Sequence, residues 1–239
     1  MGILALKYCD RLFSFAYSKP ANPLRMNLYK TDELLHAAAL AIEGVLTNPS
    51  AAQQLEVYGL SSAQLQTGKL RWQTLVRLCE THNCLRNERY AISQQINASL
   101  QVVNEQFRAH VSIAQSAFHA NPALFHALGV TPLATRRWEC VRQAAHFYRQ
   151  LHNCDVLLED YGVSTVALLH AQDQVMQLLA LKEERVQKKT QVDQGAKEVR
   201  SAKQALRAWM VEFRLVARVA LRSHPQMLEM FGVRMATKV

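Results

Sequence analysis

The sequence predicts an all-α fold: a tandem duplication of a helical-hairpin bundle unit, with the two units packed together. Three observations predict it. Apolar residues recur at helical spacing nearly throughout, and no period-2 stretch is sustained. Eight glycines and six prolines in 239 residues are too few for a turn-dense all-β chain. The chain also repeats itself without a gap at an offset of 103 residues. Leu55-Glu56-Val57-Tyr58-Gly59-Leu60-Ser61 matches Leu158-Glu159-Asp160-Tyr161-Gly162-Val163-Ser164, and Leu128-Gly129-Val130 matches Phe231-Gly232-Val233. Over 55–130 against 158–233, 15 of 76 positions are identical, where chance gives about 5. Many mismatches stay within the apolar class, such as Ile113/Val216 and Phe118/Leu221. The resulting organisation is an N-terminal extension (1–27), a first helical repeat (28–130) and a second (131–239).

Each repeat reads as three main helices. The first runs near 32–47 in copy one and 132–150 in copy two, where Thr131-Pro132 has the form of an N-cap followed by proline at the first helical position. A short helical piece then ends at Tyr58-Gly59 or Tyr161-Gly162, glycine suiting the left-handed residue that stops a helix. Ser61 or Ser164 caps the next helix, and Ser61 with Gln64 spells a capping box. The last piece opens at Asn121-Pro122 or His224-Pro225 and stops at Gly129 or Gly232.

Residues 164–222 read as one very long helix or as a hairpin, and helical phase favours the hairpin. At about 100° per residue, Leu168, Ala171, Val175 and Leu178 share one face, whereas Leu206, Trp209, Phe213 and Ala220 lie roughly 170° away. A single helix would turn its two halves in opposite directions. A turn within 187–196, helped by Gly195, resolves this, with its counterpart near Asn83–Arg89.

Composition bounds the function. Twenty-eight Lys and Arg against 19 Asp and Glu give a formal charge of +9 and a pI near 9.5, which favours anionic partners without choosing among them. Five cysteines, an odd count in a chain this long, do not read as a disulfide framework and point to a reducing, cytoplasmic compartment. The start, Met1 to Lys7, has no charged region before its apolar residues and makes a poor secretory signal; Leu6 stands where a myristoylation motif wants Ser or Thr. No apolar run reaches the length of a membrane span.

Few residues carry a pattern that chemistry requires. Ser61 and Ser164 recur, but no His stands at a telling spacing, and capping explains both. Cys79, His82 and Cys84 form the best metal candidate, with Cys140, His152 or Cys154 available to complete a tetrahedral set; the spacing is no standard zinc pattern, and buried apolar cysteines are the plainer reading. Glu33 and His36 make a single Glu-x-x-His without the second copy a carboxylate-metal site needs. Glu139, His146, Tyr148 and His152 make a His-rich stretch with no further signature. No phosphate loop, dinucleotide fingerprint or nucleophile elbow occurs, so no cofactor and no catalytic residue is implied.

The most informative feature is a basic stripe. Lys197, Arg200, Lys203, Arg207, Arg214, Arg218 and Arg222 fall within about ±60° of one line on the last long helix, opposite Leu206, Trp209 and Phe213. Copy one has Gln94, Asn97, Leu100, Asn104, Val111, Gln115 and His119 at the matching positions. The stripe reads either as a solvated face or as an anion-binding surface for nucleic-acid phosphates or acidic lipids; no aromatics interleave with it, which weighs against stacking on single strands.

The ends of the two copies, Pro-Ala-Leu-Phe-His-Ala-Leu-Gly-Val at 122–130 and Pro-Gln-Met-Leu-Glu-Met-Phe-Gly-Val at 225–233, resemble a recurring segment of uncharacterised bacterial helical-repeat proteins. The resemblance covers the last helix and terminal turn of each copy. It implies a bacterial, all-helical protein and assigns no activity. The expected function is non-enzymatic: contact with a protein partner or self-association as a structural component. Nucleic-acid binding by the stripe is the alternative, and a metal-dependent helical enzyme a further one.

Overall fold

The computed structural model describes residues 23–130, 132–151 and 156–233, and their secondary structure is helical throughout, as expected. In chain order the helices are α1 (Pro23–Thr47), α2 (Pro49–Val57), α3 (Ser62–Ala117), α4 (Pro122–Ala127), α5 (Arg137–Leu151), α6 (Val156–Glu159), α7 (Thr165–Ala220) and α8 (Pro225–Met230). No described helix is long and apolar enough to cross a membrane. α3 and α7 each span 56 residues, and their first residues stand at the same 103-residue offset that relates the sequence segments.

The recurring identities in the sequence are helix ends. Gly59 closes α2 with φ +93°, Leu60 N donates to Leu55 O at 2.9 Å and Gly59 N to Glu56 O at 3.0 Å. This is a Schellman stop, and the buried Leu55 and Leu60 are the apolar pair that accompanies one. Val163 repeats it on Leu158, and Val233 on Leu228. The Ser61–Gln64 capping box forms at the start of α3: Ser61 N donates to Gln64 Oε1 at 2.9 Å and Gln64 N to Ser61 Oγ at 3.4 Å. Ser164 caps α7 through Ala167 N at 3.2 Å, and Asn121 caps α4 through Leu124 N at 3.4 Å.

Two expectations are corrected. Thr131-Pro132 does not open a helix: Thr131 lies outside the described residues, Pro132 is non-helical, and α5 begins at Arg137. Gln143 organises the preceding loop instead. Its amide donates to Gly129 O at 3.0 Å and Pro132 O at 2.9 Å and accepts from Ala134 N at 2.8 Å. Three backbone groups find their partner in one side chain, a signal that local capping rules do not carry. α1 likewise begins at Pro23, nine residues before the expected start and inside the expected extension; residues 1–22 of that extension lie outside the described residues.

The second correction concerns the hairpins. Both 83–89 and 187–196 are uninterrupted helix. The apolar face does change direction, but no turn accommodates it. The chain divides into two compact units, and the division falls inside both long helices rather than at 130/131. A central unit comprises Cys79–Lys197; a terminal unit joins the described residues up to Leu78 to those from Glu198 onward. α7 buries Leu168, Ala171, Val175 and Leu178 in the central unit, and Leu206, Trp209, Phe213 and Ala217 in the terminal unit. Gly195 belongs to helix, not turn: its bare Cα lies under the His82 ring, whose Cδ2 is 3.3 Å from where a Cβ would stand. Nearby, Lys188 Nζ donates to Glu88 Oε2 at 2.7 Å.

In the central unit, Phe107 meets Phe147 edge-on at 5.5 Å and Tyr148 at 6.4 Å, within one apolar cluster drawn from α3, α5 and α7. Lys182 lies 4.8 Å over the Trp138 ring. The terminal unit is built on an aromatic ladder: Trp209 stacks on Phe213 at 5.4 Å, and Phe213 meets Phe231 at 6.5 Å. Two helical glycines seat its ends. A Cβ at Gly68 would fall 2.2 Å from Trp209 ring atoms, and one at Gly44 would fall 2.5 Å from the Phe231 ring. Both indoles in this unit donate to helix carbonyls, Trp209 Nε1 to Gln64 O at 3.1 Å and Trp72 Nε1 to Leu35 O at 3.0 Å.

Gly68→Ala therefore overpacks a buried indole, and we expect a loss of about 1–3 kcal/mol in urea unfolding despite alanine's better helix propensity. Gly195→Ala distinguishes helix from turn. With only the edge of a half-buried imidazole to displace, it should be neutral or stabilise by up to about 1 kcal/mol, whereas a glycine-dependent turn at 187–196 would lose stability.

Candidate interaction surface

The expected metal set is not gathered. His82 packs over Gly195 with its ring reaching the Val192 backbone, while Cys84 is exposed and its thiol lies 3.5 Å from Glu88 Oε1. Cys79, half-buried, has a polar partner of its own. Hydrogen bonding to Glu88 and the charge of that carboxylate raise the Cys84 thiol. Cys140 is buried, donates to Asn104 Oδ1 at 3.2 Å and is raised by desolvation against the pull of Arg108. Both thiols are held above the ordinary cysteine value, the opposite of the shift a reactive cysteine needs. His152 and Cys154 lie outside the described residues. Among the described residues no three His, Cys, Asp or Glu side chains are placed to hold a metal ion.

The His-rich stretch also separates. His146 is exposed and lies against Gly129, whereas Tyr148 is buried and shares a hydrogen bond of 3.0 Å with His110 Nδ1. Glu139 pairs with Arg136 at 3.4 Å. Glu33 and His36 are both exposed on α1. Ser61 and Ser164 act as caps.

The basic stripe survives in part. Lys197 ends the central unit, and the six cations from Arg200 to Arg222 belong to the terminal one. Lys203 turns inward and hydrogen-bonds the buried Thr31. Partial desolvation raises the neighbouring Asp32 carboxyl, and the Lys203 ammonium pulls it back. Arg200, Arg207, Arg218 and Arg222 are exposed, and Arg214 is half-buried. Arg207, Arg214 and Arg222 have no ion-pair partner among the described residues.

Beside these arginines runs a feature that the charge count passed over. Val211, Leu215 and Val219 on α7 are 57%, 59% and 59% exposed. At four-residue spacing they form one ridge, at about 20°, 60° and 100° on the same wheel where Arg218 lies at 0°. The core of the unit is served by the other side of the helix, through Leu206, Met210, Phe213 and Ala217. At the 103-residue offset, α3 carries Arg108, Ser112 and Ser116, all exposed. The polar residues expected of a solvated helix face thus stand on α3, and aliphatics with flanking arginines stand on α7. The signal was present in the sequence as i, i+4, i+8 aliphatics that start inside the stripe's sector and run out past its edge.

No protein-family model matches the chain, and neither a curated protein nor a solved structure is similar to it.

The electrostatics of the central unit give a pH test. Desolvation holds the His110 imidazole below its ordinary value, so the folded state favours the neutral ring. The unfolded chain takes up this proton first. The contribution is fully present above the ordinary histidine value near 6.5 and is lost as pH falls through it toward the lower folded value. His82, lowered by desolvation and by Arg86 against the Val192 hydrogen bond, acts in the same sense. The urea midpoint should fall between pH 7.5 and pH 5.5, and fall less in His110→Gln. An equal drop in both proteins would remove His110 as a cause.

Proposed function

We propose that the chain is a tandemly duplicated, non-enzymatic helical protein that acts through protein–protein contact, and that the outer face of the C-terminal half of α7 is its contact surface. The Val211–Leu215–Val219 ridge is the observation that carries this reading. Single exposed aliphatics are ordinary on any protein; three in a row on one helix, with arginines beside them, supply the apolar strip that a partner helix needs. Burying one Val or Leu is worth about 1.5–3 kcal/mol. Duplication is supported by the two 56-residue helices, by the repeated Schellman stops and by the recurring serine caps. It leaves α3 as a built-in comparison for α7. The test places a photo-crosslinking residue at position 215 and, separately, at Ser112, in cells of the source organism. A discrete adduct from position 215 and none from 112 is the expected result. Equal crosslinking from both, or none from 215, overturns the proposal.

A second reading, nucleic-acid binding by the stripe, draws on Arg207, Arg214 and Arg222, which lack described ion-pair partners. Protein purified without nuclease would then carry nucleic acid. Binding to duplex DNA or RNA would weaken steeply with salt, with a logarithmic slope of about −0.9 per phosphate neutralised, and would fail in Arg214→Glu/Arg218→Glu. A clean absorbance ratio and no binding at low salt remove this reading.

A further inference from the structure

Resting on the contact reading above, we infer that the α7 face takes an acidic amphipathic helix of another protein. The ridge spans two turns, about 12 Å along the axis, which suits one helix laid along it with ridges in grooves. Its two flanks differ. Arg214, Arg218 and Arg222 line one side, Arg207 continues the ridge line one turn before Val211, and Ala208 and Glu212 lie on the other side. A partner whose aliphatics meet Leu215 and its neighbours therefore places carboxylates along one edge. Arginine suits that contact, since its planar fork takes a carboxylate in two parallel hydrogen bonds.

Charge separates this occupant from the alternatives. The ends of the chain outside the described residues carry Lys7, Arg11 and Lys19 against Asp10, and Arg234 and Lys238, so neither complements the arginines. A second copy would bring another +9. Phosphates would meet the arginines and leave the aliphatic ridge bare. A lipid surface is ordinarily engaged by Trp, Phe and Leu, and the ridge holds two valines and one leucine. The matching positions of α3, Arg108, Ser112 and Ser116, lack the aliphatics.

The test uses the full chain and three labelled 18-residue peptides, read by fluorescence anisotropy. One has leucines at helical spacing with glutamates on one flank, one has lysines in place of the glutamates, and one is a scramble of the first. The acidic peptide should bind saturably and weaken with salt. The lysine peptide and the scramble should bind at least about tenfold more weakly. Leu215→Asp and Arg214→Glu/Arg222→Glu should each cost at least about tenfold, a change of about 1.4 kcal/mol per decade, and Ser112→Asp nothing. These positions lie off the core, and circular-dichroism melts confirm that each variant folds. Acidic and lysine peptides binding equally, with both lost in Leu215→Asp, would overturn the acidic partner and leave the contact reading standing. Binding by neither peptide, with no crosslink from position 215, would overturn both. Phosphatidylglycerol vesicles or duplex DNA binding the chain while the acidic peptide does not would also overturn the inference and identify the ligand class instead.

Discussion

A long helix gains little from propensity and holds its shape because one face is buried. α3 and α7 are each 56 residues long and supply residues to two separate cores, so each must present a suitable face to both. Most of the architecture follows from this constraint. The apolar stripe of α7 changes direction because the residues before Lys197 and those after Glu198 serve different units. Gly195 stands in mid-helix with the edge of the His82 ring over it. Gly68 and Gly44 are more tightly constrained, each yielding its side-chain volume to a ring of the aromatic ladder.

The local grammar of the chain was legible from residues alone. Helical periodicity gave the class, and the stops at Gly59, Gly162 and Gly232 and the caps at Ser61, Ser164 and Asn121 fall where the sequence puts them. These devices act within a few residues, so a few residues encode them. The misread positions depend on distant partners. A phase shift of roughly 170° in α7 is equally compatible with a turn between two helices and with one helix that changes cores. Nothing near 187–196 distinguishes the two, because His82, which packs over Gly195, lies more than a hundred residues earlier. The start of α5 is set by Gln143 reaching back to Gly129, Pro132 and Ala134, again a contact without local signature.

The candidate surface divides in the same way. Spacing alone groups the cations of the stripe along one side of the helix; Arg200, Arg207, Arg218 and Arg222 are exposed, Arg214 is half-buried, and Lys203 turns in to Thr31. What charge counting could not supply is which aliphatics on that helix go unburied. Val211, Leu215 and Val219 share the helix with Leu206, Met210 and Phe213, and composition does not distinguish the two sets. Only the position of the core does, and the matching serines of α3 then give the exposed set its meaning.

The division of the chain also sets an order of assembly. Cys79–Lys197 is one unbroken stretch, whereas the terminal unit needs residues from both sides of it. During synthesis, at about 5–20 residues per second, α1, α2 and the start of α3 emerge long before Phe231 and Trp209 exist to meet Gly44 and Gly68. The N-terminal helices must therefore wait with their apolar faces open until the central unit has been made, and that interval is when a chaperone has most to hold.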